Sequence, residues 1–177
     1  MTPDLSFDGI DVYTAAIADG PATRREREQA AVLAIVRTVF GPQAKLCHRE
    51  NGAPYIAGAD ATVSVSHSRR TAVLAVDPSG RSIGVDIEDA RSQLMRVAPR
   101  VFSDSEMSFY GSSLGGLAVA WTLKEAAYKC AGKPGTDFRA DIVLDPHSRR
   151  FTACGRTLEI ASSGPFADQY LTLVYEK

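Results

Sequence analysis

Two acidic residues, Asp86 and Glu88, stand two positions apart in a short apolar segment. The apolar residues of this segment alternate with polar ones, which predicts a β-strand whose buried face is made of Ile83, Val85 and Ile87. Residues two apart in a strand point to the same side, so we expect the two carboxylates within about 6 Å of each other. At an effective dielectric constant of about 20, their repulsion is then about 2.8 kcal/mol. In a cleft, this pair requires a proton, a basic side chain or a cation, and oxygen ligands on one rigid strand suit Mg²⁺.

The alternative is a strand whose polar face meets water, where Asp86 and Glu88 are merely solvated, because such faces are common in half-exposed sheets. Gly84 lies on the same predicted face, and its missing side chain predicts space there for a bulky ligand. The strand alone leaves both interpretations open.

Residues 121–132, WTLKEAAYKCAG, have the clearest helical pattern of the chain and supply a second set of groups. At about 100° per residue, one face is apolar and the other collects Trp121, Lys124, Glu125, Tyr128 and Lys129. Glu125 and Lys129 are four residues apart, which predicts an ion pair between them. The alternative is an exposed face with an ordinary helix ion pair. However, Trp121 is the only tryptophan, and a ring of this size is seldom left in water, so we expect the face to be partly covered.

Hydrophobic periodicity predicts the elements that must position these groups. Alternation predicts extended structure in seven segments: 10–18, 46–58, 61–76, 81–90, 138–145, 149–161 and 169–177. Segment 46–58 is predicted to contain two short strands around a turn, and segment 61–76 two strands around residues 67–70. Helical periodicity predicts helices at 24–41 and 117–132, with 90–102 either helical or irregular. The sequence SDSE at 103–106 has the form of a capping box, in which Glu106 is the partner of Ser103.

Similar strand and helix patterns precede and follow Gly80. We therefore predict an α+β fold of two similar small α/β halves related by a pseudo-twofold axis, with an N-terminal half at 1–80 and a C-terminal half at 81–177. The acidic pair and the later helix both fall in the C-terminal half, and the two halves are expected to form one functional unit.

Composition narrows the class of protein. The 177 residues carry a net charge of −1, which argues against a general nucleic-acid or membrane-surface binder. The three cysteines are widely spaced, which disfavours a disulfide framework or a zinc cluster and suits a reducing compartment. No apolar run has membrane-spanning length and the N-terminus does not have the pattern of a signal peptide, so we predict a cytoplasmic protein without nucleic-acid or membrane partners.

The motifs GVDIE and WTLKEAAYK, together with their separation, resemble those of the 4'-phosphopantetheinyl transferase superfamily. Two further segments, NGAPYI and VSVSHS, are similar to segments of its surfactin-synthetase type, so this chain resembles a shortened form of that type. VFSDSE is also similar to a segment of the family, and all these segments follow the order of the family. The resemblance runs from about residue 46 to residue 138. It implies the fold of that family and a Mg²⁺-dependent transfer of the phosphopantetheine arm of coenzyme A. The acceptor would be a serine of an apo carrier protein (acyl, peptidyl or aryl), as in fatty acid, polyketide or nonribosomal peptide biosynthesis, and adenosine 3',5'-bisphosphate would be released.

The resemblance also implies roles at the reacting centre. Asp86, Glu88 and Glu125 would hold the Mg²⁺, and Asp86, Glu125 and Lys129 would be the catalytic residues. Glu125 is a candidate both for a metal ligand and for the base that takes the serine proton, and the sequence does not separate these roles. Lys129 would stabilise charge on the leaving phosphate oxygens.

A further set of residues would bind coenzyme A: His67, Ser66, Lys124, Arg69 and Arg49. For His67 the alternative is a structural hydrogen-bonding role, for Ser66 a turn residue, and for Arg69 a solvated side chain. The lysine of the family's G-K-P segment is Ala53 here, and Arg49 or an arginine of residues 24–27 is the candidate replacement. Two other functions stay open, namely a non-catalytic scaffold that binds coenzyme A or a carrier protein, and a metal-dependent phosphohydrolase. The carrier, the pathway and the oligomeric state are not determined by the sequence.

Overall fold

The structure is a computed structural model of the chain and describes residues 2–177. The N-terminal half contains these elements in chain order: β1 (Leu5–Phe7), β2 (Ile10–Ala16), α1 (Arg24–Phe40), β3 (Leu46–His48), β4 (Pro54–Ile56), β5 (Thr62–His67) and β6 (Thr71–Asp77). Helix α1 begins with a capping box formed by Thr23 and Glu26 and ends at Gly41, which has a φ of 101°.

The C-terminal half begins with the predicted acidic strand and contains these elements: β7 (Ile83–Glu88), α2 (Gln93–Val101), α3 (Asp104–Tyr110), α4 (Leu114–Ala131), β8 (Ile142–Val143), β9 (Arg150–Ala153), β10 (Arg156–Phe166) and β11 (Gln169–Glu176). The predicted capping box of Ser103 and Glu106 is confirmed at the start of α3. Helix α4 ends at Gly132 in the left-handed conformation, as its sequence predicts.

Each half contains an antiparallel sheet. The strand order is β1-β2-β6-β5 in the N-terminal half and β7-β11-β10-β9-β8 in the C-terminal half, and β3 and β4 form a separate hairpin. These sheets confirm the α+β class, whereas the pseudo-twofold relation and the division at residue 80 stay predictions.

Three hydrophobic clusters define the layers of the molecule. One lies between α1 and the N-terminal sheet, and a second lies between α4 and the C-terminal sheet. The third lies between the two sheets, where β2 and β6 meet β7 and β11. The predicted buried face of β7 belongs to this central cluster, so its alternation was interpreted correctly.

The opposite face of β7 is covered by α4. A Cβ atom added to Gly84 would lie 1.9 Å from the backbone oxygen of Ala126, a distance that real atoms do not reach. The prediction that Gly84 leaves space for a ligand is therefore wrong: the missing side chain lets the backbone of α4 approach the strand. This close contact places the side chains of α4 beside those of β7.

The edges of the two sheets meet at β5 and β7. The backbone N–H of Val85 donates to Ser64 Oγ at 3.0 Å, and that of Ile87 donates to Ser66 Oγ at 3.3 Å. Side-chain hydroxyls of β5 thus replace the ladder partners that an edge strand lacks. We call these two hydrogen bonds the serine seam.

Several predicted boundaries differ from the structure. Helix α4 begins three residues before the predicted start, because its first turn contains Gly115 and Gly116, which weaken the helical pattern. Segment 138–145 is extended only at Ile142–Val143, and segment 149–161 is a hairpin rather than one strand, with positive φ at Cys154 and Gly155. Within residues 2–177, no helix combines the length and the apolar composition needed to cross a membrane.

Candidate active site

A cavity of about 870 Å³ lies between the two halves. The N-terminal half contributes the β3–β4 hairpin and β5 to its lining, and the C-terminal half contributes β7 and α4. The serine seam joins two of these elements, β5 and β7. A ligand in this cavity would therefore contact both halves of the chain.

Three carboxylates line the cavity: Asp86 and Glu88 from β7, and Glu125 from α4. The close packing of α4 on β7 brings Glu125 to the side of the strand that holds Asp86. Burial raises the pKa of Glu125 to about 7, and the neighbouring carboxylates of Asp86 and Glu88 also raise it, while Lys129 opposes the shift. The lining also contains three basic side chains, Arg49, Lys129 and Arg156, so burial rather than an excess of negative charge is the main cause of the raised pKa of Glu125.

Asp86 is the most constrained of the three carboxylates. Its Oδ1 accepts hydrogen bonds from Lys129 Nζ at 2.8 Å and from Ser66 Oγ at 2.7 Å. Lys129 also donates to the backbone oxygen of Val85 at 3.0 Å. The predicted ion pair between Lys129 and Glu125 is therefore wrong, because the packing of α4 on β7 directs the ammonium group to the strand.

Glu88 is held at the end of β7 by its own neighbours. Its Oε1 accepts the backbone N–H of Asp89 at 2.8 Å, and its Oε2 accepts from Arg91 Nη2 at 2.6 Å. By contrast, no group among residues 2–177 donates a hydrogen bond to the Glu125 carboxylate within the usual geometric limits. The three carboxylates thus differ in how firmly they are held.

The chemistry of these donors fits a hard divalent cation. Carboxylate oxygens are the protein ligands that Mg²⁺ prefers. Burial is the main reason that the pKa of Glu125 is raised, and the neighbouring charges of Asp86 and Glu88 add to it, so a bound cation would favour the charged form of this carboxylate. In the described part of the chain, no three His, Cys, Asp or Glu side chains are already close enough to enclose a metal ion. Side-chain movement would therefore have to accompany binding of a cation by all three carboxylates.

Three of the five residues predicted to bind coenzyme A line this cavity. Ser66 is buried beside Asp86, and His67 follows it on β5, with its Nδ1 3.5 Å from the Glu28 carboxylate of α1. Arg49 lines the cavity from the hairpin, where its guanidinium group lies over the Tyr55 ring at 5.3 Å.

Lys124, predicted to bind phosphate, does not line the cavity. Its side chain is completely buried, and its Nζ donates to the backbone oxygens of Phe138 and Ile142, each at 2.7 Å. It also forms an ion pair of 2.9 Å with Glu106, whose other oxygen accepts the backbone N–H of Leu144. Burial lowers the pKa of Lys124, although Glu106 opposes this shift. The structure thus corrects the prediction: Lys124 and Glu106 join α4 to α3 and to the following loop.

Arg69 is the other predicted residue outside the cavity. It lines a separate, smaller pocket that contains three more arginines. The structure therefore does not bring Arg69 together with the carboxylates.

The face of α4 around Trp121 is partly covered, as predicted. The centre of the Phe138 ring lies 6.2 Å from that of the Trp121 ring and 5.5 Å from that of the Tyr128 ring. Trp121 and Tyr128 also line the cavity beside Glu125 and Lys129, so they limit the access of water to these charged groups.

Sequence analysis missed several residues that support the site. Arg91 forms an ion pair with Glu88, and its position three residues after Glu88 could have predicted this pair from the sequence. Asn51 Nδ2 donates to the backbone oxygen of Gly132 at 3.1 Å, which ties the hairpin to the end of α4 across 81 residues of sequence. No local pattern predicts a contact of this range.

A comparison with protein families agrees with this arrangement. The family model of the 4'-phosphopantetheinyl transferase superfamily matches residues 82–172, just over half of the chain. The match begins beside β7, includes α4 and ends in β11, so it contains all three carboxylates and Lys129. The similar segments of the N-terminal half, NGAPYI and VSVSHS, lie outside it. No curated protein matches the chain. The extent of the family match establishes that the chain belongs to the 4'-phosphopantetheinyl transferase superfamily.

Proposed function

We propose that the protein transfers the 4'-phosphopantetheine group of coenzyme A to a serine of an apo carrier protein, in the manner of a holo-[acyl-carrier-protein] synthase. One observation carries this proposal within the family: three carboxylates from two elements line one cavity beside Lys129. A cavity of about 870 Å³ also has the size of a cofactor site, since such sites span about 300–1,000 Å³.

Asp86, Glu88 and Glu125 would hold a Mg²⁺ ion. When bound, the ion would neutralise the charge of the coenzyme A pyrophosphate. Ser66 would fix the orientation of Asp86 through its short hydrogen bond, and Arg91 would do the same for Glu88. The protein would thus contribute positioned charge, which is the main requirement for phosphoryl transfer.

In the reaction, the serine oxygen of the carrier would attack the phosphorus atom next to the pantetheine arm. A new P–O bond would form, the pyrophosphate P–O bond would break, and adenosine 3',5'-bisphosphate would leave. We assign the serine proton to Glu125, because its carboxylate has no hydrogen-bond donor among residues 2–177, whereas Asp86 and Glu88 each have two. The ammonium group of Lys129 would stabilise the charge that develops on the leaving oxygen.

The N-terminal half would bind the rest of coenzyme A. His67 and Ser66, which lie on β5 and line the cavity with the carboxylates, would contact the pyrophosphate. Arg49 on the hairpin, which also carries Ala53, is the candidate replacement for the missing lysine. The carrier protein would approach from solvent through the mouth of the same cavity.

The direct test is a mass measurement. The protein is mixed with coenzyme A, Mg²⁺ and a panel of apo carriers from fatty acid, polyketide and nonribosomal peptide systems, and each carrier is weighed. We expect at least one carrier to gain one phosphopantetheine group. If none gains mass while coenzyme A still binds, the scaffold hypothesis replaces the transferase; release of adenosine bisphosphate without a carrier would favour the phosphohydrolase.

Asp86→Asn supplies the matched variant, because it removes charge but keeps the size of the side chain. We expect it to lower the transfer rate by about 10²-fold or more, since it removes the negative charge that would attract the Mg²⁺ ion and that pairs with Lys129. Asp60→Asn makes the same change at an exposed position outside the cavity and should leave the rate unchanged. Equal rates for the two variants would contradict the proposed site.

A further inference from the structure

Asp89 connects one carboxylate of the cavity to both halves of the chain. The pairing of β7 with β11 ends at Glu88 and Tyr170, so Asp89 is the first residue beyond this part of the sheet. Its backbone N–H donates to Oε1 of Glu88 at 2.8 Å. The position of the Asp89 backbone therefore determines where one oxygen of Glu88 is held.

Two donors from different parts of the chain hold the Asp89 side chain. Its Oδ1 accepts hydrogen bonds from Gln169 Nε2 at 3.1 Å and from Arg70 Nη2 at 2.9 Å. Gln169 is the first residue of β11 and is buried, and its Oε1 accepts from Thr71 Oγ1 at 2.7 Å. Arg70 and Thr71 lie at the turn between β5 and β6, so both halves of the chain contribute to this hydrogen-bond network. We call Arg70, Thr71, Asp89 and Gln169 the Asp89 network.

The second carboxylate oxygen of Asp89 has no partner. Within residues 2–177, Oδ2 is inaccessible to solvent and accepts no hydrogen bond. An unpaired buried acceptor lowers the stability of a fold, so stability alone does not explain a carboxylate at this position. The hydrogen bonds that Asp89 does make connect β6 and β11 to Glu88.

Groups that orient a metal ligand act on the affinity of the site. A carboxylate that is already held in place loses less freedom when the ion binds. Loss of an orienting group outside the ligands lowers metal affinity about 10–100-fold. Two groups hold Glu88 in this way, namely Arg91 and the N–H of Asp89, and Asp89 is itself held by residues distant in sequence.

We propose that Asp89 is a positioning residue for the cation site, because its backbone N–H orients the Glu88 carboxylate while Gln169 and Arg70 hold Asp89 itself. The proposal rests on the metal site of the proposed function, but it concerns the affinity for the ion rather than the transfer of phosphopantetheine.

Direct binding of Mn²⁺ tests the proposal without the transfer reaction. Mn²⁺ prefers the same oxygen ligands as Mg²⁺, and its paramagnetic resonance signal distinguishes the free from the bound ion. Asp89→Asn and Asp89→Ala remove the same negative charge, but only asparagine keeps an acceptor oxygen in the place of Oδ1. Its amide nitrogen takes the place of Oδ2, which has no hydrogen bond to lose. We expect Asp89→Ala to bind Mn²⁺ about tenfold more weakly than Asp89→Asn.

A purely structural role gives a different result. Asp89→Ala would then lower the stability in urea, whereas the folded protein would bind Mn²⁺ as tightly as Asp89→Asn does. Equal Mn²⁺ affinities in the two variants would overturn the proposal. Absence of Mn²⁺ binding in the wild type would overturn the metal site together with it. A carrier that gains no mass, combined with the expected Mn²⁺ affinities, would contradict the transferase alone.

Arg70→Gln decides the question if Asp89→Ala does not fold. About half of the Arg70 side chain is exposed, so this variant should fold. Removal of a positive charge by itself favours a cation, whereas release of Asp89 should weaken Mn²⁺ binding about threefold, less than in Asp89→Ala because Gln169 still donates. Arg25→Gln makes the same change at an exposed position outside the cavity and should keep the wild-type affinity. Mn²⁺ binding in Arg70→Gln that is as tight as in the wild type or tighter, or equal weakening in Arg25→Gln, would overturn the proposal.

Discussion

Glu125 is buried and has two acidic neighbours. Its negative charge is therefore unfavourable in the folded protein, and we expect this to lower the stability of the metal-free protein at high pH. Its pKa in the folded protein is about 7, above its ordinary value of 4.5, so the folded state binds the proton more tightly than the unfolded state. The contribution to stability is therefore fully present below pH 4.5 and is lost as the pH rises towards 7. Above pH 7, the charged carboxylate destabilises the fold.

Glu125→Gln should consequently stabilise the metal-free protein at pH 8 while lowering phosphopantetheine transfer. We expect a gain of about 1–3 kcal/mol in the free energy of unfolding, allowing for partial solvent screening, and no gain at pH 4.5. Urea unfolding at several pH values in the presence of a chelator measures this difference. A variant that is no more stable than wild type at pH 8 would contradict the raised pKa.

Single residues were predictable where their chemistry is local. Spacing placed Asp86 and Glu88 on one side of a strand and Glu125 on the polar side of a helix, the family resemblance joined them in one candidate site, and all three line the same cavity. Spacing failed for the partner of Lys129, because i, i+4 spacing offers Glu125 while the true partner, Asp86, lies 43 residues away. Local spacing therefore predicts which side chains share a face, but it does not predict which of them form ion pairs in the folded protein.

At the scale of elements, the serine seam connects the fold to the candidate site. Ser64 and Ser66 each accept a backbone hydrogen bond from β7, but only Ser66 also donates to Asp86. These two residues therefore form a natural comparison. Replacing either serine by alanine leaves a backbone N–H of β7 without its acceptor, whereas only the replacement of Ser66 removes a hydrogen bond to the Asp86 carboxylate.

Ser66→Ala and Ser64→Ala should lose similar stability, about 1–3 kcal/mol each, because of the unpaired N–H. Ser66→Ala should in addition lower kcat by about tenfold, since Asp86 loses its orienting donor, while Ser64→Ala should keep kcat near that of wild type. Urea unfolding and the carrier assay together measure both quantities. Equal kcat values in the two variants would show that the hydrogen bond to Asp86 does not position the site.

Helix α4 also explains why Lys124 was misassigned. On a helical wheel, the polar arc from Lys124 to Lys129 spans about 140°, and Lys124 lies at its edge, beside Ala120 and Ala131. The wheel does not reveal how many sides of a helix are covered. Here α2, α3 and the loop before β8 cover the Lys124 side as well, so a lysine at the edge of the polar face is buried.

Lys124→Met should therefore act on stability. It leaves Glu106 buried without its cation and two backbone oxygens without a donor, at a cost of about 3–5 kcal/mol in the free energy of unfolding. Lys124→Met combined with Glu106→Gln should recover part of this loss, because the buried charge disappears. A Lys124→Met variant with wild-type urea stability and a raised KM for coenzyme A would restore the phosphate-binding role.

At the scale of the whole molecule, the central hydrophobic cluster joins the two halves. It contains Ile10, Val12 and Val73 from the first half and Val85 and Leu173 from the second, and all are buried. The period-two pattern predicted these strands, but both sheet faces are covered, so alternation did not reveal which face meets the other sheet. The relation between the halves required tertiary structure.

Because the halves share this cluster, we expect them to unfold in one cooperative transition. Trp121 fluorescence reports on the surroundings of a single side chain of α4, since the chain has one tryptophan, whereas far-ultraviolet circular dichroism reports on the secondary structure of both halves. In a urea titration the two signals should have the same midpoint. Leu173→Ala in the central cluster should lower the stability by about 2–5 kcal/mol and move both midpoints together, because the cavity it creates loosens both sheets at once. Separate midpoints in the wild type, or a shift of the fluorescence midpoint alone in the variant, would mean that residues 1–80 and 81–177 fold as independent units.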